Sequence, residues 1–205
     1  MEDNRLRNQV QFILEVDNLK NVIRRSYLID AHRKENSAEH SWHVALMVLV
    51  FAEYADQPLN SARVIKLLLV HDIVETDAGD TYCYDSNATH NKSEREQKAA
   101  QRLFGLLPPD QASRLQELWI EFEARITPES KFARALDCLM PLLHNYYTKG
   151  KSWKEHGITA DQVIDHTKVI GDISRPLWDF ARSTIDDAVA KGYLGKHRAL
   201  SNPAP

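Results

Sequence analysis

The chain has 205 residues, which is enough for one domain with a substantial core and too few for two of ordinary size. Its 26 basic and 29 acidic side chains nearly balance, for a formal net charge of −3, and no basic run could follow a nucleic-acid backbone. We therefore expect a single domain over residues 1–205 that does not bind nucleic acid.

The ends of the chain and its cysteines bear on its location. Residues 1–5 are polar and acidic, so the N-terminus lacks the basic and apolar regions of a signal peptide. No apolar run approaches the ~20 residues of a membrane-spanning helix. Two cysteines, far apart and outside any CxxC pattern, suit reduced thiols. The sequence predicts a cytoplasmic protein without a membrane partner, with a disordered tail at 201–205.

Apolar residues recur with the helical period along most of the chain, and sustained alternation of the strand type is absent. The first helix is predicted to continue to about Ile23. The second begins near Ser37, whose hydroxyl can cap it, and the third begins at Asn60 or Ser61. Turn formers at 77–91 indicate a loop.

The second half of the chain continues the helical pattern. Further helices are predicted over 93–107, over 110–125, from Thr127 onward with Pro128 in the first turn, and over 159–190 with a kink at Pro176. Trp42, Trp119 and Trp178 fall in apolar or amphipathic runs and are predicted to be core residues. Together these patterns predict an all-α fold, a helical bundle.

The third helix ends on a His-Asp doublet, His71 and Asp72, that follows the apolar run 64–70. Ionisable side chains at the mouth of a buried segment are costly unless their charge is compensated, and a divalent cation does so. His40 stands at the start of another apolar stretch, 44–55, and Asp137 interrupts the helical run 132–143. Such nitrogen and oxygen ligands suit Mn, Co, Fe, Ni, Zn or Mg, without determining which. Taken alone, the doublet also allows a structural interpretation, with a hydrogen-bonded core histidine and a capping aspartate.

The order His40, His71-Asp72, Asp137 resembles the H…HD…D signature of the HD-domain metal-dependent phosphohydrolases. The resemblance spans about 19–147, with a C-terminal helix at about 159–190 beyond it. Neighbouring stretches narrow it to the branch that contains the 5'-deoxynucleotidases: LKNVIR at 19–24, EHS at 39–41, HDIVE at 71–75, GD at 79–80, LWIEFE at 118–123 and ALD at 135–137. Where that branch commonly has tryptophan shortly after the arginine, this chain has Arg25, Ser26 and Tyr27.

The resemblance implies an HD-domain helical bundle. It also implies an enzyme that removes the 5'-phosphate from deoxyribonucleoside monophosphates by attack of a metal-bound water. It implies that His40, His71, Asp72 and Asp137 bind a divalent metal cation, that a small nucleotide is the substrate, and that the protein is a homodimer.

Four further residues are candidates for chemistry and substrate binding. Glu75 follows Asp72 by three residues, so a continuing helix would place both carboxylates on one face. In the resembled family the positions of Glu75 and Asp80 line the site. Arg24 is a candidate phosphate clamp, because a guanidinium binds phosphate bidentately and stays charged. Tyr27 could stack on the base or sugar. The alternatives are a solvated acidic patch and a surface arginine.

Other functions stay open from sequence. One is an HD hydrolase of another phosphate ester. A second is an HD-type di-iron oxygenase, which would need further ligands from His43, Glu75 or Asp80. A third is a non-catalytic, metal-dependent nucleotide-binding regulatory module. No partner is visible in sequence for the remaining histidines, which are His32, His90, His144, His156, His166 and His197.

Overall fold

Helices make up most of the chain that this computed structural model describes, which is residues 2–85 and 91–196. The α-helices are α1 (Glu2–Val16), α2 (Ser37–Phe51), α3 (Ser61–Val70), α4 (Glu75–Ala78), α5 (Lys92–Phe104), α6 (Pro109–Ala124), α7 (Pro128–Tyr147), α8 (Lys151–His156), α9 (Ala160–Thr167) and α10 (Arg175–Ala190). Short 3-10 helices cover Asp17–Asn21, Ala52–Tyr54 and Lys168–Asp172. The predicted all-α class is confirmed. The tail at 201–205, His90 and His197 lie outside the described residues.

The α-helix at the N-terminus ends at Val16, and a 3-10 helix continues to Asn21, close to the predicted end at about Ile23. A two-stranded antiparallel hairpin follows, β1 (Ile23–Tyr27) and β2 (Lys34–Asn36). The hairpin was not predicted, because strands of five and three residues are too short for strand alternation to show. Successive side chains of a strand point to opposite faces. Arg24 therefore turns toward the protein interior, whereas Arg25 is exposed.

The last predicted helix, over 159–190, is two helices. Helix α9 ends at Thr167, and α10 begins at Arg175 after Ser174, whose hydroxyl accepts a hydrogen bond from the N–H of Leu177 at 3.3 Å. Pro176 occupies the first turn of α10, where its missing N–H leaves no intrahelical bond unmade. The proline therefore starts a helix, and the predicted kink was wrong.

The other helix starts follow the sequence closely. Asn60 caps α3 by accepting from the N–H of Arg63 at 3.1 Å. Thr127 caps α7 in the same way through Ser130. For α2 the cap is Asn36 rather than Ser37, and Glu39 completes a capping box with it. These caps fix where the helices that carry the candidate site begin.

The core lies where α3 packs against α2 and α7. Fully buried aliphatic side chains fill this contact, namely Val44, Val48, Leu67, Leu68, Leu136 and Leu139. Trp119 is buried as predicted and Trp178 packs against the core, but the prediction for Trp42 was wrong, since it is 62% exposed. Among the described residues, no helix is both long enough and apolar enough to cross a bilayer.

Candidate metal centre and active site

Four side chains from three segments bring donor atoms together beside a cavity. His40 lies in the first turn of α2, His71 and Asp72 directly follow α3, and Asp137 lies in the middle of α7. Nε2 of His40 is 2.9 Å from Oδ1 of Asp137. Nε2 of His71 is 3.0 Å from Oδ1 of Asp72 and 3.8 Å from Oδ1 of Asp137. All four residues are buried. The structure thus brings together the four residues predicted as metal ligands.

The arrangement fits a divalent cation. Ligand atoms about 2.1 Å from a metal and at right angles to each other lie about 3.0 Å apart, which two of the three distances match. Nδ1 of His71 donates to the carbonyl oxygen of Leu68 at 2.8 Å, so Nε2 carries the lone pair. That Nε2 atom is buried and lacks a hydrogen-bond partner in the described structure. A metal ion would satisfy it.

An arginine holds the other oxygen of each carboxylate. Nη1 of Arg24 donates to Oδ2 of Asp72 at 2.9 Å, and Nη1 of Arg134 donates to Oδ2 of Asp137 at 2.5 Å. Burial opposes ionisation of Asp137, but Arg134, His40 and His71 together hold its pKa well below its usual range. Both Oδ1 atoms are therefore left to face the imidazoles.

Glu35 on β2 lies behind His40 and was not predicted from the sequence. Its Oε2 atom is 3.3 Å from Nδ1 of His40, 3.8 Å from Nε of Arg24 and 3.8 Å from Nδ1 of His144. Oriented carboxylates commonly face the second nitrogen of a metal-binding histidine. The only sequence signal was its position five residues before His40.

Glu75 and Asp80 join Arg24 at the same place. Oε2 of Glu75 accepts from Oγ of Ser37 at 2.6 Å and lies 3.8 Å from Nη1 of Arg24. Oδ1 of Asp80 lies 3.7 Å from that Nη1 atom. Burial, with Asp72 and Asp80 nearby, raises the pKa of Glu75 well above its ordinary value, and burial also raises the pKa of Asp80. A carboxyl group with a raised pKa can transfer protons near neutral pH.

The adjoining cavity has a volume of about 260 Å³, near the lower end of the ~300–1,000 Å³ of small-ligand sites. Its walls include Arg24, His71, Asp72, Glu75, Asp80 and Asp137. Five residues that were not predicted as site residues also line it: Tyr82, Tyr84, Lys92, Arg125 and His166. The cavity therefore has room for one small molecule, among cationic, anionic and aromatic side chains.

Tyr27 is not among the residues that line this cavity. Its hydroxyl donates to Oε1 of Glu155 at 2.8 Å, and Nζ of Lys151 lies 3.9 Å from the centre of its ring. His43 is likewise absent from the four-residue set and is instead a neighbour of His144, with ring centres 6.2 Å apart. The structure does not bring Tyr27 to the candidate site.

The chain matches the HD domain family model over residues 16–178. It is 36% identical to the Bos taurus 5'-deoxynucleotidase HDDC2, over 69% of this chain and 68% of that protein. For the Schizosaccharomyces pombe 5'-deoxynucleotidase hdd1 the identity is 29%, over 79% of this chain and 85% of that protein.

A solved structure is also similar. The crystal structure of a predicted metal-dependent phosphohydrolase from Magnetospirillum magnetotacticum MS-1 matches with a TM-score of 0.91 and 50% identity. The match covers 95% of this chain and 98% of that one. The chain therefore belongs to the HD-domain family, as its H…HD…D pattern predicts.

Proposed function

We propose that the protein is a metal-dependent phosphomonoesterase that removes the 5'-phosphate from deoxyribonucleoside monophosphates. The observation that carries the proposal is the convergence of His40, His71, Asp72 and Asp137 beside a cavity that a buried arginine also lines. The names of the relatives support the substrate class.

His40, His71, Asp72 and Asp137 would hold one divalent cation. Four protein ligands leave positions of a six-coordinate shell open, which is typical of a catalytic rather than a structural site. When bound, the cation supplies Lewis-acid activation of a water molecule and positive charge for the phosphoryl oxygens. Mn, Co, Fe, Ni, Zn and Mg all accept such ligands.

Arg24 supplies the positive charge that binds the 5'-phosphate. It lies at the edge of the cavity, and Asp72, Glu75 and Asp80 outweigh the effect of burial and raise its pKa, so the guanidinium stays charged. A guanidinium also retains its charge while the phosphoryl group passes through the transition state. Arg24 therefore contributes to both substrate binding and turnover.

Glu75 moves the proton. Its carboxylate takes a proton from the attacking water as the new P–O bond forms, and the proton is available to O5' as the P–O5' bond breaks. The hydrogen bond from Ser37 holds the carboxylate in place during this exchange. Asp80, which follows the turn at Gly79 and lines the cavity, would contact the sugar.

We also propose that the protein is a cytoplasmic homodimer. Helix α1 exposes a row of apolar side chains, Leu6, Val10, Ile13 and Leu14, and contiguous exposed apolar surface marks association sites. Light scattering should give twice the 23.5 kDa chain mass, and Leu14→Glu should give the monomer. A monomeric wild-type protein would contradict the dimer. Cell fractionation tests the location.

A phosphate-release assay tests the activity. Metal-free protein is supplied with Mn²⁺ or Co²⁺ and a panel of deoxyribonucleoside and ribonucleoside monophosphates and sugar phosphates. We expect the highest kcat/KM on deoxyribonucleoside monophosphates and no release by His71→Ala. Nucleotide binding without release would indicate a binding module instead, and release from a different ester alone would reassign the substrate.

A further inference from the structure

A second group of metal-ligating side chains lies on the far side of His40 from the principal centre. Glu35 on β2, His43 on α2 and His144 on α7 each offer one donor atom, and these atoms all lie within 4.8 Å of one another. None of the three belongs to the set of His40, His71, Asp72 and Asp137. Of the three, Glu35 also faces the principal centre, through Nδ1 of His40.

Two of these side chains each carry a buried atom that makes no hydrogen bond in the described structure. Glu35 is 1% exposed and His144 is 2% exposed. Oε2 of Glu35 and Nδ1 of His144 are 3.8 Å apart, and neither atom has a hydrogen-bond partner in the described structure. The other nitrogens near Oε2, from His40 and Arg24, do not complete a hydrogen bond with it. Such atoms are costly to bury unless something else binds them.

We propose that Glu35, His43 and His144 form a second metal site, for a borderline transition-metal cation such as Zn²⁺. Two imidazoles and one carboxylate are a three-residue zinc ligand set with an open fourth position. Nitrogen ligands favour Zn²⁺, Co²⁺ or Ni²⁺ over Mg²⁺ or Ca²⁺. The half-buried His43 gives the cation access from solvent.

The three donor atoms, which lie within 4.8 Å of one another, must move closer together to bind one ion. Ligand atoms of a tetrahedral centre, each about 2.0 Å from the metal, lie about 3.3 Å apart. The 3.8 Å between Glu35 and His144 must therefore shorten by about half an ångström. Because Glu35 also faces Nδ1 of His40, this carboxylate connects the second site to the principal centre.

Metal counting tests the proposal. Metal-stripped protein is dialysed against Zn²⁺ and then buffer, and zinc per chain is measured by elemental analysis. We expect two zinc ions in the wild type, one in His43→Ala, one in His71→Ala and none in the double variant. His32→Ala, at an exposed histidine, is the matched control and should keep two. His43 is half-buried, so its variant should fold, which circular dichroism checks.

Cobalt spectroscopy gives an independent measurement. Four-coordinate Co²⁺ absorbs visible light more strongly than six-coordinate Co²⁺, so the second site should give an intense band in the wild type and in His71→Ala. The band should be absent from His43→Ala and from His144→Gln. One zinc ion in the wild type, or unchanged zinc and spectra in His43→Ala and His144→Gln, would overturn the second site. Loss of a zinc ion from His32→Ala would do so as well, because it would indicate surface binding.

Discussion

Arg134 donates to Oδ2 of Asp137, three residues further along α7, and leaves Oδ1 of that carboxylate 2.9 Å from Nε2 of His40. The arginine thus orients a proposed metal ligand through the oxygen that faces away from the imidazoles. Substitution of such outer partners typically costs ~10–100-fold in metal affinity or activity.

We therefore expect Arg134→Gln to weaken divalent-metal binding at the principal centre by ~10–100-fold. The measurement is a calorimetric titration of metal-stripped protein with Mn²⁺, which gives the Kd. Arg182→Gln is the control, because Arg182 is exposed on α10 and pairs with Asp186 within the same helix. An unchanged Kd in Arg134→Gln would show that Asp137 needs no such support.

Glu75→Gln should separate chemistry from metal binding. The amide keeps the shape of the side chain but cannot accept the proton of the attacking water, so we expect kcat to fall by ~10²–10⁴-fold. Elemental analysis should show that Glu75→Gln binds as much metal as the wild type does. Glu94→Gln, on the exposed face of α5, is the control. Turnover close to that of the wild type would remove Glu75 from the reaction.

Lysine at position 24 should impair both binding and turnover. Arg24→Lys keeps the charge but loses the planar guanidinium, and a charge-assisted hydrogen bond contributes ~1.5–3 kcal/mol, so we expect kcat/KM to fall by ~10–100-fold. Arg25 is exposed but also borders the cavity, so Arg25→Lys is assayed beside it. If only Arg25→Lys is impaired, the assignment is wrong by one residue. If neither is impaired, the phosphate is bound elsewhere.

His166 should make stability depend on pH. Burial, followed by the charge of Arg134, lowers its pKa to about 4, whereas an imidazole in the unfolded chain titrates near its ordinary value of 6.5. Below pH 6.5 the unfolded chain binds a proton that the folded protein does not. The contribution of neutral His166 to the free energy of unfolding is therefore present above pH 6.5. It is lost as the pH falls toward 4, by at most ~1.4 kcal/mol per pH unit.

Urea unfolding at a series of pH values, with constant saturating metal, measures this dependence. His166→Gln should lose less free energy of unfolding than the wild type between pH 6.5 and 4. The exposed His32→Gln should follow the wild type. Parallel curves for the wild type and His166→Gln would contradict the assigned cause.

The convergence of four residues could be predicted because each of them begins, interrupts or ends an apolar helical run: His40, His71, Asp72 and Asp137. An ionisable side chain in such a place needs a partner, so the sequence itself indicates a site. His144 carried a similar signal that was overlooked, since it lies seven residues after Asp137 and thus on the same face of α7.

Glu35 and Arg134 were harder to predict, because a single charged residue in a polar or amphipathic stretch usually lies at the surface. Glu35 is buried only because the hairpin turns it inward, and strands of three and five residues are too short to reveal that turn. The prediction that Trp42 lies in the core was wrong for the opposite reason. Helix α2 is apolar on nearly every side, so its composition does not indicate which face meets the core.

The two arginines that hold Asp72 and Asp137 also bear on discrimination against calcium. Each carboxylate has one oxygen bound to a guanidinium, so it can offer a cation only the other. Ca²⁺ takes six to eight oxygen ligands at about 2.3–2.6 Å and often binds both oxygens of one carboxylate. With bidentate coordination blocked at both aspartates and two positions given to nitrogen, the principal centre is poorly matched to this abundant ion.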